Sequence, residues 1–299
     1  MKILLTGASG FLGRHISSNL REINYTIIQL GIEKSCDIAC DLSLDIPKLT
    51  SDIDIVIHAA GKAHVNPVTD LEKQSFFDIN FHGTKNLCLA LERTKIPKTF
   101  IFISTVAVYG LESGENIDES KSLNGITPYA LSKIQAEEFL KKWCLKNNVI
   151  LGILRPSLIA GINPPGNLGA MIKGIKTGKY FRIGNGVARK SILMAEDIAR
   201  IIPRLAETGG IYNVCDNHHP SFAELDELIA KQLNKQAPRS IPYWIAKSLA
   251  LVGDLIGEKV PINSSKLGKI TKSLTFSNEK AKRDLGWKPL DVLQNFKIH

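Results

Sequence analysis

The chain is 299 residues long, 44% hydrophobic and 22% charged, which is enough to bury a large core and suits one doubly wound domain with a smaller one beside it. No apolar stretch approaches the roughly 20 residues of a membrane span, and Met-Lys running straight into a core-like strand leaves no room for a signal peptide, so the cytoplasm is the expected location. The net charge of +9 is compatible with nucleic acid, an anionic surface or an anionic small substrate, but it reads as single lysines on polar helix faces without arginine-aromatic interleaving, and no nucleic-acid partner is expected.

The chain opens MKILLTGASGFLGRHI. Residues 3–5 read as a buried strand and residues 11–20 as an amphipathic helix, which puts Gly7, Gly10 and Gly13 on the turn between them. Glycine there permits positive φ and a close backbone approach to a ligand, and the helix N-terminus directs unpaired N–H groups at whatever sits in the turn. An anion such as a dinucleotide pyrophosphate is the natural occupant. Residues 25–30, 53–58, 100–104 and 150–154 read as further buried strands, separated by helical stretches at 75–94 and 129–147. That alternation predicts a parallel sheet covered on both faces, with ligands beyond the carboxyl ends of its strands. Ala59-Ala60-Gly61, Ser104-Thr105 and Arg155-Pro156 all stand just after such runs.

"TPYALSK" sets Tyr129 and Lys133 four apart on a helix, hence on one face. An ammonium beside a phenol favours the phenolate, so Lys133 is expected to lower the Tyr129 pKa and fit it for proton exchange with a sugar hydroxyl or ketone. Alternatively the pair is a core-edge aromatic and a solvated lysine. Thr105 at a strand end is a second hydroxyl for the same substrate oxygen, or simply a strand cap. After residue 160 "GINPPGNLG" loosens the pattern, giving a dinucleotide-binding domain at 1–160 and a mainly substrate-binding domain at 161–299. "GGIYNVCD" looks like one more strand, so a segment near 190–215 is expected to return to the first domain. The five cysteines (36, 40, 88, 144 and 215) are odd in number and lack metal-ligand spacing, so they are read as reduced thiols and no metal is expected.

The glycine turn, the strand-end Ser-Thr and the Tyr-x-x-x-Lys together resemble the extended, nucleotide-sugar-modifying branch of the short-chain dehydrogenase/reductase superfamily. The likeness runs nearly end to end, through "TGASGFLG", "IHAAG", "INFHGTKNL", "STVAVYG", "YALSK", "LRPSLIAG" and "NEKAKRDLGWKP". It implies a Rossmann α/β fold, an NAD(P) cofactor and a catalytic trio of Thr105, Tyr129 and Lys133. It also implies cofactor contacts from Gly7, Gly10, Phe11, Leu12, Gly13 and Arg14, from Asp41 and Leu42 near adenine, from Ala59, Ala60, Gly61, Asn80 and Ser104, and from Pro156 beside the nicotinamide, with Lys133 on the ribose. For the substrate diphosphate it implies Asn167 and Leu168 at a helix start, and Arg189. His64 in "GKAHV" reads as a solvated loop residue, and the resemblance suggests a homodimer.

Two departures narrow the reading. NAD-selective members carry an acid at the end of the second strand, where this chain has Gly31; Arg14 is either a residue that meets a 2′-phosphate or a solvated helix arginine, and the cofactor leans to NADP(H), with Glu33 as the residue that would rescue NAD. Related 4,6-dehydratases follow the catalytic Thr or Ser with Asp-Glu, where this chain has Val106 and Ala107, which move no proton. Dehydration is therefore not expected, which leaves 4-keto reduction or, alternatively, 4-epimerisation with retained NAD. The stretches "AAGKAHV", "INFHGTKNL", "GNGVARKSILMAEDIA" and the C-terminal "NEKAKRDLGWKP" resemble a bacterial subgroup acting on UDP-linked 6-deoxy-4-keto-N-acetylhexosamines in surface-polysaccharide synthesis, which implies the 4-ketoreductase. A non-catalytic dinucleotide sensor is the reading from another class, against which stand the retained Tyr129 and Lys133.

Overall fold

The computed structural model describes residues 1–50, 52–256 and 263–298. Its first half alternates strand and helix: β1 (Lys2–Thr6), α1 (Phe11–Glu22), β2 (Thr26–Gly31), β3 (Ile38–Ala39), β4 (Ile55–His58), α2 (Asp70–Phe77), α3 (Gly83–Glu92), β5 (Thr99–Ile103), β6 (Gly114–Ile117), α4 (Pro128–Lys146) and β7 (Ile150–Pro156). The rest is β8 (Leu158–Ala160), α5 (Gly166–Lys176), β9 (Arg182–Ile183), β10 (Ile192–Met194), α6 (Ala195–Thr208), β11 (Gly210–Val214), α7 (Phe222–Gln232), β12 (Ser240–Ile241), α8 (Tyr243–Ile256), α9 (Ser264–Thr271), β13 (Leu274–Phe276), α10 (Glu279–Leu285) and α11 (Val292–Asn295).

Seven strands form one parallel sheet in the order β11-β7-β5-β4-β1-β2-β3. The chain builds outward from β1 to β3, then returns to lay β4 on the other side of β1, in register from Ile3 against Ile55 to Thr6 against His58. The reversal opens a crevice between the carboxyl ends of β1 and β4, the place where such sheets take ligands. Alternation along each strand feeds two cores: Ile3 and Leu5 pack with Ile16, Ile198 and Leu205 on one face, while Leu4 packs with Leu87, Leu140 and Trp143 on the other. Because both faces are covered, these strands are continuously apolar.

The predicted strand in "GGIYNVCD" is β11, paired with β7 from Gly210 against Gly152 to Val214 against Pro156. A third core beyond the sheet joins Leu168 and Met171 of α5, Leu225 and Ile229 of α7, and Val292 and Phe296. Short parallel pairs, β8 with β10 and β6 with β13, lie outside the main sheet.

The helix expected over 75–94 differs. Thr69 and Glu72 make a reciprocal capping box that starts α2 earlier, and Asp78–His82 then forms one wide π-helical turn before α3. The extra residue in that turn rotates Asn80 into the interior, where it is fully buried. Among the described residues no helix is long and apolar enough to cross a membrane, and no group of three or more His, Cys, Asp or Glu is arranged to hold a metal ion. All five cysteines are free thiols.

Candidate active site

The glycine turn is built around two approaches that exclude a side chain. Gly7 has φ +70°, and a Cβ there would stand 2.7 Å from Ala60 N; a Cβ on Gly13 would stand 2.0 Å from Gly7 O. The first approach seats β1 against the segment after β4, and the second presses α1 onto the turn. Gly10 caps α1 without a side-chain hydrogen bond, and no acidic residue occupies the first helical turn. The helix therefore presents its N–H groups and positive end to the crevice. A pyrophosphate fits that cradle. Phe11 stacks edge-on to His15, and Leu12 packs against the sheet core.

Beside the turn lies a cleft of about 570 Å³ lined by Ser9, Arg14, Arg21, Glu33 and Ser35 among others. Arg14 is exposed and donates to the Ser9 carbonyl, which folds its guanidinium back over the turn. β2 ends at Gly31 with no carboxylate; Glu33 is exposed and accepts from the Ser35 hydroxyl at 3.4 Å. Asp41 spends Oδ1 on Ser43, accepting from its N–H at 2.9 Å and its hydroxyl at 2.7 Å, and Leu42 is buried against Gly83.

The catalytic candidates converge at the carboxyl ends of β4 and β5. Thr127 caps α4 by accepting from Ala130 N at 3.2 Å, with Pro128 at the first helical position, so the first turn that carries Tyr129 is well formed. Tyr129 packs its ring 6.2 Å from Phe76, with the Thr105 hydroxyl beside its own, where it acts on the phenol's pKa. One turn on, Lys133 is 4% exposed, donates to the Ile103 carbonyl at 2.9 Å, and sits 4.6 Å from the Phe102 ring centroid. A Cβ on Gly61 would stand 3.0 Å from Asn80 Oδ1 and 3.1 Å from Lys133 Nζ, so the ammonium lies close behind the loop that follows β4.

The electrostatics differ from the simple expectation. Burial holds the Tyr129 phenol above the usual tyrosine range, opposed by the Thr105 hydrogen bond; Lys133 is turned toward Ile103 and Phe102. Burial instead brings Lys133 itself down to about 8, with the Glu137 carboxylate one turn away opposing it. The tyrosine is thus a neutral phenol at neutral pH, and the expected lowering by Lys133 is replaced by a rise from desolvation.

Two side chains expected toward a cofactor are turned inward. Ser104 is 3% exposed and donates to Glu137 Oε1 at 2.5 Å, because its strand neighbour Thr105 takes the opposite face. Glu137 is also held by Arg155 through Nε at 3.0 Å and Nη2 at 2.6 Å, and Arg155 Nη1 donates to the Tyr109 hydroxyl at 3.0 Å. Asn80 accepts from Lys62 N at 2.7 Å and donates to Ser132 Oγ at 2.9 Å, so its amide is saturated by protein. Both residues brace the site from behind.

His58 was legible only as a strand end, yet it ties the crevice together. The Thr84 hydroxyl donates to Asn80 O at 2.6 Å, which leaves Thr84 Oγ1 to accept from His58 Nε2 at 2.9 Å, while Thr6 donates to His58 Nδ1 at 2.7 Å. Thr6 Oγ1 in turn accepts from Ala60 N at 3.1 Å. Burial, reinforced by the charge of Lys133, pushes this imidazole down to about 3. Across the crevice Pro156 ends β7, and the next hydroxyl, Ser157 Oγ, is buried without a partner. An orphan donor at that position, with the glycine cradle opposite, fits a nicotinamide dinucleotide laid along the sheet end.

The substrate candidates are less convergent. Asn167 is exposed in the first turn of α5, whereas the Leu168 side chain belongs to the third core, leaving its backbone alone to face a ligand. His64 keeps an exposed face but lays Nδ1 2.7 Å from where a Cβ on Gly166 would stand, joining the loop after β4 to the start of α5. Arg189 is half exposed, donating to the His219 carbonyl at 2.7 Å with Glu224 at 3.4 Å.

A model of the NAD dependent epimerase/dehydratase family matches residues 3–215. The chain is 28% identical to the N-acetyl-alpha-D-glucosaminyl-diphospho-ditrans,octacis-undecaprenol 4-epimerase of Escherichia coli O157:H7, over 93% of this chain and 88% of that protein. It is 29% identical to the GDP-6-deoxy-D-mannose reductase of Pseudomonas aeruginosa, over 77% of this chain and 79% of that protein. Its fold is similar to that of the UDP-glucose 4-epimerase of Thermotoga maritima, solved with UDP-glucose, at a TM-score of 0.75 and 20% identity over 98% of this chain and 96% of that one.

Proposed function

The chain belongs to the NAD dependent epimerase/dehydratase family, and from that premise we propose that it moves a hydride at C4 of a UDP-activated sugar, as a 4-ketoreductase. The observation that carries this reading is the convergence of Thr105, Tyr129 and Lys133 beside the glycine cradle. A bound nicotinamide cofactor supplies the hydride. Tyr129, held as a neutral phenol by burial, is in the form that donates a proton to a ketone oxygen. Thr105, beside Tyr129, offers that oxygen a second hydroxyl. Lys133 holds positive charge beside the crevice next to Gly61, where it would meet the ribose of a bound cofactor. Gly31 in place of a ribose-binding acid, with Arg14 and Ser9 at the adjoining cleft, supports NADP(H) and a cofactor released on each turnover. Val106 and Ala107 move no proton, which argues against dehydration.

Epimerisation is the second reading, supported by the Escherichia coli relative, whose name also offers a polyprenyl diphosphate as sugar carrier in place of UDP. In either reading Asn167 and Arg189 grip the diphosphate, residues 1–160 with the returning β11 bind the cofactor, and a homodimer forms through α4 with α2 and α3.

The test is to incubate the protein with a 4-keto-6-deoxy UDP-sugar and NADPH or NADH, and separately with UDP-glucose and UDP-N-acetylglucosamine without added cofactor. A reductase consumes one NADPH per product. Interconversion of 4-epimers without added cofactor overturns the reductase reading. Tyr129→Phe should lower kcat by on the order of 10²–10⁴, the usual worth of a positioned acid, and full activity in that variant would remove Tyr129 from the chemistry.

A further inference from the structure

Helix α8 buries its alanines and exposes most of its described large apolar residues. Ala246, Ala250 and Gly253 face inward, the two alanines packing with Leu267 of α9. At 100° per residue the opposite side carries Trp244, Leu251, Val252 and Leu255, which are 70%, 56%, 55% and 89% exposed. An amphipathic helix that serves only its own fold shows the reverse arrangement. The stripe from Trp244 to Leu255 is about 16 Å long, with an indole at one end.

The charge around it is equally uneven. Residues 231–272 contain eight lysines or arginines against two acidic residues, six of the nine net positive charges of the whole chain. Arg239, Lys247, Lys269 and Lys272 are exposed. Asp254, on the same helix, has its carboxylate engaged by Ser264, from N–H at 2.9 Å and from Oγ at 2.5 Å. On α8 itself the exposed Lys247 lies on the flank of the apolar stripe. A second copy docked through the same segment would bring like net charge against like, whereas an anionic lipid surface meets both the charge of the segment and the stripe.

From this juxtaposition we infer that α8 docks the protein onto an anionic phospholipid bilayer, with Trp244, Leu251, Val252 and Leu255 in the headgroup boundary and the flanking Lys247 on a lipid phosphate. The helix lies on the membrane and does not span it. The α8–α9 pair runs within two residues into Ser273, whose hydroxyl accepts from Arg189 N at 3.0 Å, so docking brings the substrate arginine's side of the molecule toward the surface. This surface is independent of which reaction the site performs.

Trp244 is also the reporter, since Trp143 and Trp287 are 5% and 3% exposed. The full chain is sedimented with vesicles of phosphatidylglycerol and phosphatidylethanolamine in equal parts, and with pure phosphatidylcholine vesicles, while indole emission is followed. The anionic vesicles should bind about tenfold more tightly than the neutral ones, blue-shift the emission, be quenched by brominated acyl chains, and release protein as salt rises from about 0.1 to 0.5 M. Leu251→Ser/Leu255→Ser should weaken binding about tenfold or more with its thermal midpoint unchanged. Absence of binding to anionic vesicles, or equal binding by the double variant, overturns the inference. So does a blue shift without lipid that grows with protein concentration and is lost in the variant, because the occupant is then a second copy.

Discussion

Lys133 carries positive charge into a space where water is scarce, and its surroundings determine what that does to stability. The ammonium has the Ile103 carbonyl at 2.9 Å and the Phe102 ring at 4.6 Å, but these do not replace bulk hydration, and its pKa comes down to about 8. With the folded pKa below the unfolded one, the unfolded chain holds this proton more tightly. Stability is therefore reduced below pH 8 and recovered as pH rises from about 8 toward the free lysine value near 10.4. Lys133→Met should be more stable than the parent at pH 7 by on the order of 2–3 kcal/mol, with the gap closing toward pH 10, while cofactor affinity and activity fall. Glu137 keeps Arg155 as its partner in that variant, so no lone buried charge is created. Urea unfolding at pH 7 and pH 10 measures it; a variant less stable at pH 7 would mean that the contacts of the ammonium outweigh its desolvation.

At the scale of elements, α4 places the chemistry, and its first turn is the vulnerable part. Thr127 satisfies Ala130 N, two residues before and one residue after Tyr129, so loss of the cap loosens the turn that aims the phenol. Thr127→Ala should cost about 1 kcal/mol of stability and lower kcat more than it changes KM, whereas Thr127→Ser should restore both. Equal kcat in the alanine variant would show that packing of Tyr129 against Phe76 fixes the ring unaided. This start was legible in the sequence, since Thr-Pro before a helical run is a strong N-terminal signal. So were the glycine turn, where Gly7 and Gly13 have no room for a Cβ, and the placement of Tyr129 and Lys133 one turn apart on α4, though not the direction in which Lys133 turns. The inward roles of Ser104 and Asn80 were not. Ser104 turns away because adjacent strand-end residues take opposite faces, and Glu137, four beyond Lys133, was the available sign of what it would meet. Asn80 depends on a π turn that inserts one residue into the helical repeat, and no periodicity reads that. Nor did reading the lysines singly find the excess of positive charge over residues 231–272, because each stands apart from the next while the acidic residues that would balance them are scarce there.

At the scale of the whole molecule, the sheet, the helical layer of α3 and α4 and the crevice meet at His58, and acid is the condition that separates them. Its ring receives a hydrogen bond from Thr6 of β1 and gives one to Thr84 of α3, which in turn holds the π turn through Asn80 O. A protonated imidazole would have to donate from both nitrogens, and the Thr6 hydroxyl would lose its acceptor. Burial keeps the ring neutral down to about 3, far below the free value near 6.5. The unfolded chain therefore binds the extra proton, and stability that is full above pH 6.5 is lost progressively as pH falls toward 3. Asp197, pushed by burial up to about 6 against the opposing charge of Arg200, acts in the other sense over part of that window, so the wild-type curve alone mixes the two. The difference between wild type and His58→Gln isolates the histidine. At pH 7 the variant should be the less stable, having lost part of the Thr6–His58–Thr84 chain. Between pH 6.5 and 4 the wild type should lose about 3 kcal/mol that the variant does not, so the gap narrows and the two denaturation midpoints converge or cross. Urea titrations at half-unit pH steps decide the matter: a gap that stays constant down to pH 4 would mean that the folded protein protonates His58 as easily as the unfolded chain, and that the crevice is held together by something other than a neutral imidazole.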